Sequence, residues 1–205
     1  MHITEYKTVT TMKQNLSMSG LNRSLSCFIL FGTLLLLSCG DDPEPANEEE
    51  LITTLTVTLT PQGVGDAVVM TFKDLDGPGS GVPEYIYSGG GSAASLTATT
   101  TYDVIITLLN ENTNPAENIT EEIEQEADEH LFCFTVGGGA DLVITYADED
   151  GGGRPIGLST TWAAGTAGTG TVTVVLRHQP GTKTGDCPGG GETDINVTFN
   201  ISIVD

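Results

Sequence analysis

Basic residues are scarce in this chain: 7 Lys and Arg stand against 28 Asp and Glu, a formal charge of −21. Residues 1–38 hold three of the seven (Lys7, Lys13, Arg23) and one of the acids (Glu5), so the remainder carries Lys73, Arg154, Arg177 and Lys183 against 27 carboxylates. A surface this negative repels phosphate backbones and anionic headgroups, which argues against nucleic acid and against electrostatic docking on a membrane. Aromatic residues make up only 6%, and Trp162 is the single tryptophan, so it reads as a core or rim residue before a sugar-stacking platform. Catalytic signatures are missing too: there is no Gly-x-Ser-x-Gly elbow, no Cys–His pair at a recognisable spacing, no dinucleotide fingerprint and no Walker loop. The glycine clusters at 89–91, 137–139, 151–153 and 189–191 lack the basic residue that a phosphate cradle needs. The chain is therefore expected not to be an enzyme.

Long apolar runs are limited to one, Leu25–Leu37, preceded by Lys13 and Arg23. As a helix it would rise only about 20 Å, short of the roughly 30 Å of a hydrocarbon core, so it reads as the apolar region of a secretory signal and not as a membrane span. Residues 36–39 (LLSC) resemble the bacterial lipobox, with small Ser38 directly before Cys39. That resemblance implies removal of residues 1–38, a diacylglycerol thioether on Cys39, and acylation of the new amino terminus; several buried acyl chains make detachment slow. Residues 39–50 then form the lipidated cysteine and an acidic tether, with two prolines and six carboxylates in GDDPEPANEEE.

Residues 51–205 suffice for one domain with a real core. Thr54–Thr60 alternates, with Leu55, Val57 and Leu59 on one face, and stops at Pro61. The same period runs through Val104, Ile106 and Leu108, through Val172, Val174 and Leu176, and through Ile195, Val197, Phe199, Ile201 and Ile203. Abundant Gly and Thr between such strands predict an all-β, antiparallel β-sandwich of the Ig-like or Greek-key kind. Residues 68–79 (VVMTFKDLDGPG) align without gaps on 142–153 (LVITYADEDGGG), which suggests an internal duplication with pseudo-repeats at about 51–136 and 140–205. One segment departs: Asn118 with Glu121 resembles a helix cap, and Ile119, Ile123 and Ala127 recur every four residues, so at most one short helix is expected near 119–128.

Candidate chemistry is confined to a few side chains. Asp74 and Asp76 before Gly77, and Asp148 and Asp150 before Gly151, place paired carboxylates on tight turns, as a calcium loop does. No Glu follows at the twelfth position, and Asp-Gly is equally the ordinary chemistry of a hairpin turn, so calcium and a bare turn stand as alternatives. Glu126 and His130 share a face at i, i+4, a spacing that can hold a transition metal. His178 lies on a different strand, however, and a solvated acidic face is the plainer account of 121–129. Cys133 and Cys187 remain once Cys39 is lipidated; in an oxidising compartment they form a disulfide, or Cys133, set between two phenylalanines, is a buried free thiol.

Residues 51–61, the phrase TFKDLDG at 71–77, NITEEI at 118–123 and GGETDINVTF at 190–199 together resemble a family of uncharacterised Bacteroidetes-type outer-membrane lipoproteins. Some of its members carry the label "type 1 periplasmic binding fold superfamily protein", which implies a large βα domain that these strands do not match. The acidic residues after Cys39 are similar to those that direct such lipoproteins to the outer leaflet. The resemblance implies an outer-membrane, lipid-anchored protein, at the cell surface or on the periplasmic face. Two readings of function remain: the first is a non-catalytic binding module of an uptake system, with an outer-membrane receptor as partner and, from the Asp-Gly turns, calcium as the one cofactor to consider. The alternative is a structural envelope protein that mediates protein contacts without a small ligand.

Overall fold

The computed structural model describes residues 50–77, 79 and 81–205; the expected signal sequence, Cys39 and the expected tether as far as residue 49 lie outside the described residues. Ten strands and one helix follow in order: β1 (Thr54–Pro61), β2 (Val68–Lys73), β3 (Glu84–Tyr87), β4 (Ala94–Thr97), β5 (Thr101–Leu109), α1 (Ile119–Gln125), β6 (His130–Gly137), β7 (Leu142–Tyr146), β8 (Ser159–Ala164), β9 (Gly168–His178) and β10 (Glu192–Val204). They build an all-β sandwich. One sheet has the order β3-β2-β1-β5-β8-β7 and the other β4-β10-β9-β6. Every pairing is antiparallel except that of β4 with β10. Among the described residues no helix is long and apolar enough to cross a membrane.

Alternation in the sequence translates directly into the core. Leu55, Val57 and Leu59 of β1, Val104, Ile106 and Leu108 of β5, and Val172, Val174 and Leu176 of β9 all face inward and are buried. The odd-numbered residues of β10 from Ile195 to Ile203 do the same. Each such side chain contributes roughly 1.5–3 kcal/mol relative to exposure, which offsets the entropy of ordering many short strands. Trp162 is fully buried in β8, its indole N–H donating to Thr160 Oγ1 at 2.8 Å. Tyrosines bind the sheets together at their polar tips: the Tyr87 hydroxyl accepts from the Asn200 amide, and the Tyr102 hydroxyl from the Thr97 amide.

The helix is held by packing more than by its cap. Ile119 and Ile123 bury against the core, and Thr120 Oγ1 accepts from the Leu108 amide at 2.8 Å, fastening α1 to β5. The expected cap does not form: the Asn118 side chain makes no cap bond, and its amide instead donates to the Glu121 carboxylate. The internal duplication is not shown either. Strands β2 and β7, which match in sequence, lie in one sheet; β5 shares that sheet with β2, whereas its counterpart β9 lies in the other. The two segments therefore repeat a local strand and turn, not a supersecondary unit.

Cys133 and Cys187 form a disulfide, with Cα atoms 5.6 Å apart, that ties the β9–β10 connection to β6. Closing a loop between residues 54 apart restricts the unfolded chain by about 4 kcal/mol. Reduction, or the double substitution Cys133→Ser with Cys187→Ser, is expected to lower unfolding free energy by an amount of that order in urea titrations, with far-ultraviolet circular dichroism unchanged before the transition.

Candidate functional site

The pairing of β6 with β9 brings together two residues that are far apart in the chain. His130 stands directly opposite His178, in register with the pairs Phe132–Leu176, Phe134–Val174 and Val136–Val172 that line the core. Because side chains alternate with period two, both imidazoles belong to the inward set and sit at the end of the hydrophobic face. Their rings stack, with centroids 4.3 Å apart and planes 21° apart, and both side chains are buried. His178 thus joins His130, which corrects the expectation that its place on a different strand keeps it away, while Glu121, Glu124, Glu126 and Asp128 of the acidic run are exposed as a solvated face would be. The available signal was parity: residues 130 and 178 continue the inward alternation of 132–136 and 172–176.

Carboxylates surround the pair from three directions. Glu126, one residue beyond α1, places Oε2 4.0 Å from His130 Nδ1, and its carbonyl oxygen lies 3.2 Å from the same nitrogen. Glu129 Oε2 is 3.4 Å from His178 Nε2. Asp194 sits where the β9–β10 register shifts between Thr193 and Ile195; this bulge accompanies a fully covered carboxylate whose Oδ2 is 4.0 Å from His130 Nε2. Gly191, at φ +79°, lets the returning chain pass beside His178, since a Cβ there would collide with the His178 carbonyl oxygen. Burial pushes His130 down to about 4; the nearby His178 and Lys183 add to that, while the Glu126 carbonyl and Asp128 oppose it. Glu50 is pushed up to about 7 by partial burial, by a hydrogen bond with Glu122, and by the charges of Glu122, Glu126 and Asp194. His130 Nε2 and His178 Nδ1 are buried without a hydrogen-bond partner.

The two Asp-Gly turns have separate fates. Asp148 spends both oxygens on backbone amides, Oδ1 on Gly157 at 2.7 Å and Oδ2 on Ser159 at 2.8 Å. Asp150 accepts from the amides of Gly152 and Arg154 and from Arg154 Nε at 2.9 Å, and faces Lys183 Nζ at 3.2 Å. Lys183 in turn donates to the Ala127 carbonyl, and Arg154 to the Lys183 carbonyl. A cation at this turn would have to displace two cations already there, so Asp148 and Asp150 do not form a calcium site. Around Asp74 partial burial, a hydrogen bond with Asp76 and the Asp76 charge raise the carboxyl above its ordinary range, against backbone hydrogen bonds from Gly77 and Asp76. Those amide bonds are what a carboxylate at the head of a turn makes. The sequence motif contained no hint of Lys183, which arrives from the β9–β10 connection.

A groove of about 480 Å³ runs along the outer face of the four-stranded sheet beside the disulfide, lined by Thr135, Val175, Arg177, Pro188 and Asn196 among others. Arg177 Nη1 donates to Thr193 Oγ1, and its Nε is buried without an acceptor. Among the described residues, the other three basic side chains each pair with a carboxylate; Arg177 does not.

Asp150 organises this region electrostatically. Burial works to raise its carboxyl, but the Arg154 amide, the Lys183 ammonium and the Gly152 amide hold it well below the ordinary carboxylate range. Replacing it by Asn leaves the covered Lys183 ammonium without a counter-charge. Both side chains are covered, but the Ala127 carbonyl still accepts from Lys183, so the expected loss lies at the low end for a buried ion pair, about 3 kcal/mol at pH 7. A carboxyl with a lowered folded value stabilises the protein above its unfolded value of about 4 and loses that contribution as pH falls. The Asp150→Asn deficit, read from urea unfolding, should therefore be full at pH 7 and shrink below about pH 4.

No family model matches the chain, and neither a curated protein nor a solved structure is significantly similar to it.

Proposed function

We propose that the protein is a lipid-anchored lipoprotein of a bacterial outer membrane whose β-sandwich serves as a non-catalytic binding module, related to the Bacteroidetes-type lipoproteins its sequence resembles. The observation that carries this reading is the apolar run ending in LLSC at 36–39, followed at once by an acidic tether that leads into β1. The Cys133–Cys187 disulfide supports it, because such bonds persist in oxidising compartments and are rare in the cytosol. The tether lets the domain stand off a surface that its own charge would repel.

The binding role is supported by the groove beside the disulfide. Its volume falls within the range of small-molecule sites, and it pairs an apolar wall of Val175 and Pro188 with the guanidinium of Arg177, which has no carboxylate partner among the described residues. In a chain with so few cations, Arg177 gives this face a local preference for a ligand bearing a carboxylate or another acceptor, presented to an outer-membrane receptor.

Phase partition of the full chain expressed in a Gram-negative host tests the anchor. The wild-type protein is expected in the detergent phase and labelled by a palmitate analogue. The Cys39→Ser variant is expected in the aqueous phase without label. Wild-type protein found in the aqueous phase, or a variant that still takes up label, would refute the anchor. Crosslinking in the native membrane addresses the module: a stoichiometric receptor supports it, and its absence favours a self-contained structural envelope protein.

A further inference from the structure

We propose that Glu126, His130 and His178 form a binding site for a divalent transition-metal ion of the zinc class, set between α1 and the ends of β6 and β9. One donor atom from each of the three lies within 4.8 Å of the other two. Three contributions from different elements converge there: the residue just past the helix, the first residue of β6 and the last residue of β9. Two imidazoles with one carboxylate make a borderline donor set that suits zinc, copper or nickel and not the all-oxygen preference of calcium or magnesium.

Core packing alone does not account for these residues. A buried ring nitrogen without a partner costs about 1–3 kcal/mol, and the pair carries two of them, His130 Nε2 and His178 Nδ1. An apolar pair at the same register would continue the Phe132–Leu176 and Phe134–Val174 ladder without that cost. Each ring's second nitrogen, by contrast, is already engaged: His130 Nδ1 with the Glu126 carbonyl and His178 Nε2 near the Glu129 carboxylate. That is the arrangement seen at histidine ligands, where one nitrogen meets the ion and the other is oriented by a carbonyl or carboxylate. The stacked rings must turn to converge, since donors at bond lengths of about 2.0–2.2 Å sit roughly 3.4 Å apart in a tetrahedral site. Glu126 Oε2 lies on the Nδ1 side of His130, 4.0 Å from that nitrogen, and being half-exposed it can swing toward Nε2 as the ring turns to complete the set. Asp194, 4.0 Å from His130 Nε2, adds negative charge beside the ion.

The inference is independent of the lipid anchor and of the Arg177 groove, so it stands or falls separately from them. The test is isothermal titration of the full chain, stripped with a chelator, using zinc chloride and calcium chloride as probes. Saturable uptake of zinc at a single site is expected, with no competition from millimolar calcium. Loss of an outer-shell partner costs roughly 10–100-fold in metal affinity, so His178→Gln, which removes a ligand, should cost roughly 100-fold or more. Glu126→Gln, on a half-exposed side chain whose loss leaves the core intact, should weaken zinc by at least about tenfold and keeps the test valid if the histidine variant does not fold. Absence of saturable zinc uptake by the wild-type chain, or wild-type affinity in a folded Glu126→Gln variant, would overturn the proposal.

Discussion

The register of β6 on β9 is the constraint on which most of the molecule depends. A shift of one residue would turn Phe132, Phe134 and Val136 out of the core and reverse every side chain of the strand. It would also move Cys133 from the position that meets Cys187 and separate His130 from His178. Hydrophobic burial on the inner face fixes the register, the disulfide fastens it from the outside, and the histidine pair is a consequence at its end. The histidine pair is thus positioned by a core that would be needed without it.

Charge is distributed with the same economy. Three of the four basic side chains in the described residues are committed to structural pairs: Lys73 with Glu111, and Arg154 with Lys183 on Asp150. The carboxylates therefore have few internal counter-ions, and around the histidines partial burial, together with neighbouring carboxylates, holds Glu50 up to about 7. Such crowding is unfavourable unless a proton or another cation is nearby. The end of the sandwich that gathers Glu122, Glu126, Glu129 and Asp194 is where an external cation gains most.

How much was legible in the sequence follows from the range of the interaction concerned. Alternation is local, so the strands carrying Leu55, Val104, Val172 and Ile195 could be read directly, as could a short helix from Ile119 and Ile123. The aligned segments at 68–79 and 142–153 were equally local, and they mark a common strand and turn; which sheet the next strand joins depends on partners elsewhere. The same holds for the turns, since Asp150 meets Lys183 only after β9 has returned. Cys133 could be a free thiol or half of a disulfide until β6 and the β9–β10 connection were brought together. His178 was set aside for being on another strand, whereas antiparallel pairing is what makes separate strands neighbours.

The most direct measurement of the central claim is X-ray absorption at the zinc edge, on the full chain carrying His2→Gln and loaded with one equivalent of zinc. His2, His130 and His178 are the only histidines, so in this variant a shell with two imidazoles requires both strand histidines on one ion. The register of β6 on β9 predicts that shell, with carboxylate oxygen completing it. A shell of oxygens alone, or with a single imidazole, would contradict the pairing of His130 with His178 as a metal-binding unit.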